Sequence, residues 1–171
     1  MQVRFENAEY PTDRIAKSVA RILEATQLCS MATVYEGNIS HINAAYFCYD
    51  DRLDIYFVSQ LSSVHIQNIE TNPSMAVSIF DTHQPWDDWK AGLQFFGTAR
   101  STDKREFKHG SELYKERFPD YKKWLHSLGR TVASSVVPPF YLFIPTRLKI
   151  LDEEDFGEET YVDAAIKRDK E

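Results

Sequence analysis

The stretch 28-LCSMATVYEGNISHINAAYF-47 decides the fold. Its residues change character with a period of two, the spacing at which successive strand side chains point to opposite faces, and Glu36-Gly37-Asn38 interrupts the pattern where a turn belongs. Two antiparallel strands follow, and a third, 53-LDIYFVS-59, comes after a turn at Asp50-Asp51. Working outward, 74-SMAVSIF-80, 93-LQFFGTAR-100 and 140-FYLFIPTRLKIL-151 also read as strands. About six antiparallel strands with apolar residues on both faces suit a closed barrel better than a one-sided sheet, and closure removes exposed edges. The predicted class is therefore mainly β (α+β), a barrel with peripheral helices.

The helices are short. Thr12 is the expected cap of a helix running to about Thr26, with Ile15, Val19, Ile22 and Leu23 at i, i+4, i+7 and i+8. A serine-capped helix is expected in 62-SSVHIQNIET-71, closed by Asn72-Pro73. Asp103 with Glu106 three residues on signals a capped helix toward Phe118, stopped by Pro119. Another is expected around Tyr121, Trp124, Leu125 and Leu128, ending at Gly129, with a loop 129–139 beyond it.

With 171 residues, 43% of them hydrophobic, 27% charged and only 6 glycines, the chain has material for one core and not two. No secretory signal and no apolar run of about 20 residues stands in it, so a cytoplasmic protein with no membrane partner is expected. The net charge of -6 is uneven: nine acidic and three basic residues fall in 152–171, which leaves the body neutral. A neutral body with an acidic tail repels phosphate backbones, so no nucleic-acid partner is expected. The domain reading is 1–151 as the barrel and 152–171 as an acidic carboxy-terminal tail.

Local signatures of chemistry are few. The five histidines (His41, His65, His83, His109, His126) have no metal-ligand spacing, and Cys29 and Cys48 sit in apolar surroundings as structural thiols. There is no GxSxG, Walker loop or GxGxxG. The informative corner is Ser59-Gln60-Leu61-Ser62-Ser63 followed by a helix with His65 in its first turn, which aims backbone N–H groups and hydroxyls at one point, as an anion requires. The bland alternative is a serine cap and a surface histidine. Trp86 and Trp89 read as anchors of a long connection, or else as a lid over a planar ligand; His41 and Tyr46 are candidate proton donors.

The ordered set 28-LCSMATV-34, Gly37, 42-INAAYF-47, Tyr49-Asp50, 55-IYFVSQLSSVHIQNIETNP-73 and 93-LQFFGTAR-100 resembles the pyridoxamine-phosphate-oxidase-like FMN-binding split-barrel family, over about residues 10 to 151. It looks most like small bacterial members of uncharacterised function. The resemblance implies a split β-barrel, a homodimer, and FMN in a groove between two barrels. It implies phosphate contacts at Ser59, Ser63, Val64 and His65, strand residues Asn43, Ala44 and Val58 beside the ring and ribityl chain, and Gln94 reaching the pyrimidine edge from the neighbouring subunit. Family oxidases carry basic residues at the positions of Ile42, Val64 and His65, and only the histidine is kept here. Arg52, Lys90, Arg100 and Arg130 are the cations available to compensate. The pyridoxal-phosphate substrate residues have no clear counterpart, so that activity is not implied. Three readings follow: an FMN-dependent oxidoreductase on a small molecule; a non-catalytic dimer that sequesters flavin or another small molecule; and a groove filled by haem or a deazaflavin. The helix pair 103–128 and the loop with Arg130 would form the variable wall of the substrate site.

Overall fold

The structure, a computed structural model, describes residues 1–121, 123 and 138–168. The elements are β1 (Val3–Glu6), α1 (Thr12–Ala25), β2 (Leu28–Tyr35), β3 (Ile39–Tyr49), β4 (Ile55–Val58), α2 (Val64–Thr71), β5 (Ser74–Phe80), β6 (Ala91–Ser101), α3 (Lys104–Arg117), β7 (Phe140–Asp152) and β8 (Tyr161–Arg168). The strands form one antiparallel sheet in the order β1-β8-β7-β4-β3-β2-β5-β6, and β6 pairs back onto β7. Six strands thus close into a ring, and β8 with β1 extends from it. This is the split barrel, with its helices at the periphery.

The alternation read from the sequence supplies the core. Cys29 and Met31 from β2, Met75, Val77 and Ile79 from β5, and Leu93 and Phe95 from β6 all point inward. Each fully buried side chain of this size contributes roughly 1.5–3 kcal/mol. The ring lacks room for more, so α1 adds Ile15, Val19, Ile22 and Leu23 to the same cluster from outside the strands. The first half of β7 is buried on both faces: Tyr141 and Phe143 join the main core, whereas Phe140 and Leu142 pack with Cys48, Tyr56 and Tyr114 beneath α3.

Three sequence expectations change. Residues 152–168 are not a free tail, for 161–168 form β8, whose Val162, Ala164 and Ile166 are buried while acidic Asp163 faces out. Asp152 itself is buried, held by Ser18 Oγ at 2.5 Å and both oxygens by Arg21 at 2.6 Å. Thr12 does not cap α1; Pro11 occupies the cap position, and the Thr12 hydroxyl instead bonds the backbone of Phe5, tying α1 to β1. The third strand starts at Ile55 rather than Leu53, because Asp50 Oδ1 accepts the N–H groups of Arg52 and Asp54 and Leu53 turns left-handed at φ 58°. The capping box of Asp103 and Glu106 is present. The helix expected around Tyr121 to Leu128 and most of the loop 129–139 lie outside the described residues.

At one point the edge of β7 changes partners. Phe140 to Phe143 pair with β4, and Arg147 to Leu151 pair with β8 on the same side. Pro145, which has no N–H to donate, sits between the two opposite Gly97, and the next residue, Thr146, is the extra one that makes β7 bulge against Phe96 and Gly97 of β6. Arg168 bridges the gap, donating to the carbonyls of Arg52 and Pro145 and to Asp54 Oδ1. A Cβ on Gly97 would lie 2.1 Å from the Ile144 carbonyl oxygen, which is backbone and cannot move aside. Gly97→Ala is therefore expected to destabilise the fold by about 1–3 kcal/mol, read as a lower urea midpoint at unchanged slope.

Candidate functional site

The corner expected after β4 forms. Val58 pairs with Phe140, and the Ser59 N–H continues that ladder to Pro139 O at 3.3 Å, so the corner is fixed to β7. The chain then turns, with Ser63 N–H donating to Gln60 O, and enters α2 with Ser63 at the cap position. Neither Ser62 nor Ser63 caps the helix through its side chain, contrary to expectation. Ser63 Oγ instead lies 3.1 Å from Ser59 Oγ, which lies 2.8 Å from His65 Nε2. Within seven residues of sequence, two side chains converge on the hydroxyl of a third.

β3 brings two more groups. His41 stacks on His65 with ring centroids 6.4 Å apart, and Phe57 lies at the same distance on another side. Asn43 follows on the same inward face of β3. His41 Nδ1 and Asn43 Oδ1 are both buried without a hydrogen-bond partner. A buried polar atom left unpaired costs about 1–3 kcal/mol, so these two call for a ligand or water. Burial first, and then the charge of His41, hold His65 below its ordinary value of 6.5. At neutral pH it is a neutral imidazole.

The remaining candidates divide by face. Val64 is exposed in the first turn of α2, and Val58 is half-buried at the end of β4. Ala44 faces the opposite side of β3 and begins a row across the sheet: it pairs with Ser30, Ser30 with Ser78, and Ser78 with Gln94. Three strand spacings separate Ala44 from Gln94, roughly 14 Å. Around the row the surface is apolar and open: Ile42 is 70% exposed, Tyr46 51% and Leu28 48%.

Of the cations available to replace the missing basic residues, Arg52 lies with Asp50 and Asp54 at the 50–54 turn, and Arg100 and Lys90 are engaged elsewhere. Arg100 makes a two-pronged pair with Glu106, at 2.6 and 2.8 Å. Lys90 Nζ bonds Trp86 O at 2.7 Å and lies over the Trp86 ring. Arg130 lies outside the described residues. Trp86 and Trp89 anchor nothing: Trp86 is 93% exposed, and the connection is held by Lys90, by Gln84 Oε1 accepting from Ala91 N–H, and by Glu153 accepting from Lys90 N–H. Cys29 and Cys48 are buried, their thiols pushed up to about 12 chiefly by desolvation, which leaves them unreactive.

Sequence reasoning missed a second concavity of about 580 Å³ between α3 and the 50–54 turn. Arg105, Lys108, His109 and Glu112, at i, i+3, i+4 and i+7 on α3, face Asp50, Arg52 and Asp54 there, over a floor of Tyr56, Leu142 and Ile144. That spacing was the available signal. His109 Nε2 stands 3.5 Å from Asp50, and Asp54 is raised by burial and by Asp50 against the pull of Arg168.

Comparison with known proteins agrees with the fold. The family described as pyridoxamine 5'-phosphate oxidase matches residues 15–141. No curated protein matches the chain. Among solved structures, a heme binding protein from Mycobacterium smegmatis superposes with a TM-score of 0.67 at 13% identity, covering 92% of this chain, which spans 59% of that protein. A Clostridium acetobutylicum protein related to a general stress protein of B. subtilis, of the pyridoxinephosphate oxidase family, gives 0.62 at 13% identity, covering 89% and 93%. A heme storage protein from Vibrio cholerae gives 0.58 at 12% identity, covering 75% and 88%.

The neutral histidine generates a test. Its depressed value favours the folded state above pH 6.5, and that contribution is lost as pH falls through the folded value. NMR of the ring should show a midpoint below 6.5 that moves upward when inorganic phosphate is added, since an anion favours the protonated form. A midpoint at or above 6.5 without ligand would contradict the burial of the pair.

Proposed function

The chain belongs to the pyridoxamine 5'-phosphate oxidase family, and on that premise we propose that it is a dimeric FMN-binding flavoprotein that acts as an oxidoreductase on a small molecule. The observation that carries this reading is the corner itself: Ser59, Ser63 and His65 converge within 3.1 Å of one hydroxyl, beside the unpartnered atoms of His41 and Asn43. The residues present fit the group. Two hydroxyls and the first-turn N–H groups of α2 would hold the phosphate, and Asn43 would offer its orphaned amide oxygen to a donor of the flavin. When bound, FMN supplies the hydride chemistry. The chain's own part is to orient it, exclude water and move a proton through His65 as the anion arrives.

A second copy completes the site in this reading. The open face of Ile42, Tyr46 and Leu28 is apolar surface that a partner would cover. Gln94 ends the row that runs from Ala44 across the same face of the sheet, where a second copy would lie, and this supports its reaching the flavin of the second copy. The free buried cysteines suit a reducing compartment and support a cytoplasmic location. Among the described residues, no helix is long and apolar enough to cross a membrane.

Flavin absorbance titration with light scattering tests the proposal: saturable binding to a dimer is expected. His65→Glu should weaken FMN by about tenfold or more, equivalent to about 1.4 kcal/mol, with the far-UV spectrum intact. An unchanged titration would remove the corner from the site.

A second reading, a non-catalytic binder of flavin or another planar ligand, is favoured by one feature. Ile42 and Val64 stand exposed where family oxidases are basic, and each charge-assisted phosphate contact forgone is worth roughly 1.5–3 kcal/mol. The names of the heme binding and heme storage structures make haem the probe for it. The oxidoreductase reading expects bound FMN to bleach with NADH or NADPH and recover in air. The binder reading expects slow bleaching by either donor, or a haem spectrum that shifts on addition of protein while FMN does not bind.

A further inference from the structure

The phosphate corner contains a second chemistry that does not depend on flavin. Ser59 Oγ is 2.8 Å from His65 Nε2, within the range over which an imidazole takes a hydroxyl proton. We propose that Ser59 is an acylatable nucleophile, with His65 as its base and the N–H groups of Val64 and His65 as oxyanion donors, giving the chain an esterase-type activity toward small activated acyl esters.

Four features carry this assignment. The Ser59 backbone is held by its bond to Pro139 O, so the hydroxyl is presented from a fixed point, and the residue is half-exposed and reachable. His65 is neutral at working pH, and its Nδ1-protonated tautomer is the one that offers the Nε2 lone pair to Ser59 Oγ; His41 is the titratable group that faces it from β3, and Phe57 is its apolar neighbour from β4. Ser63 Oγ makes no cap bond and lies 3.1 Å from Ser59 Oγ, so its hydroxyl can rotate to donate to the nucleophile while Ser59 donates to His65. In α2, Ile66 and Gln67 donate to Ser63 O and Ser63 donates to Gln60 O, which leaves the Val64 and His65 N–H groups without an acceptor among the described residues. Those are the donors an oxyanion needs.

In the acylation step Ser59 Oγ bonds to the ester carbonyl carbon while its proton passes to His65 Nε2. The tetrahedral oxyanion faces the α2 N–H groups, and its collapse breaks the bond to the leaving alkoxide, which takes the proton from His65 and departs as the alcohol. Water, deprotonated by His65, then attacks the Ser59 ester; the carboxylic acid leaves and Ser59 regains its proton. Nothing is oxidised or reduced.

The test uses the full chain and p-nitrophenyl acetate, reading nitrophenolate release and locating the acetyl group by peptide mass spectrometry. Acetylation of Ser59 in the wild-type protein is expected, and it needs no variant. Ser59→Ala and His65→Gln should each lower the protein-dependent rate on the order of a hundredfold, while Ser101→Ala, on an exposed position of β6, leaves it unchanged. Acetyl groups found only on lysines, or a Ser59→Ala rate equal to wild type, would overturn the assignment. A parallel FMN titration separates the two accounts: acetylation of Ser59 without FMN binding sinks the flavin reading alone, and FMN binding without acetylation sinks this one alone.

Discussion

The structure depends on one strand edge shared by two partners. β7 takes β4 along its first residues and β8 along its last, while β6 runs the whole length of its other edge. Such a handover leaves a point where neither partner is in register, and three residues there make it tolerable. Pro145 needs no acceptor, Gly97 lets the two backbones approach, and Arg168 fills the gap with three donors. The ring closes because of this arrangement, and the functional corner inherits its position from it, since Ser59 is the next residue along the β4–β7 ladder.

The molecule separates its charges from its candidate site. The corner at α2 is built of hydroxyls, an amide, two imidazoles and backbone N–H groups, whose binding strength comes from hydrogen bonds in a half-buried setting rather than from fixed cations. A set of cations and carboxylates gathers instead in the cleft beneath α3, where some neutralise each other, Arg100 with Glu106 and Arg168 with Asp54. A site of the first kind gains affinity by drawing a proton onto His65 as an anion arrives. It is weaker than a cluster of arginines and more responsive to pH.

The ring of six strands was legible partly from alternation, as in 28-LCSMATVY-35 and 74-SMAVSIF-80, whose strands begin and end where the pattern does, and partly from apolar runs such as 55-IYFV-58 and 140-FYLFI-144 that are buried on both faces. β8 was hidden because its inward residues include a small Ala164 and the stretch that precedes it is acidic, so composition outweighed period. β1 has four residues and a partner some 160 positions away, beyond any local signal. In the site, Ser59, Ser63 and His65 are close in sequence and were legible as a corner. His41 and Asn43 reach it only through β3 pairing with β4, and whether a histidine is charged depends on burial, which no spacing reports. The tryptophans misled for a related reason: an aromatic residue in a long connection is usually packed, but here polar bonds from Lys90, Gln84 and Glu153 hold the chain and leave Trp86 in solvent.

The central claim is that the corner at the start of α2 is the anion end of a flavin groove completed by a second copy. A crystal structure of the protein soaked with FMN tests it most directly. The account predicts the phosphate within hydrogen-bonding distance of Ser59, Ser63 and His65 and the pyrimidine edge facing Gln94 of a second copy across the Ile42–Tyr46 face. FMN seated in the cleft beneath α3, or a flavin held within one copy with that face turned to solvent, would contradict it.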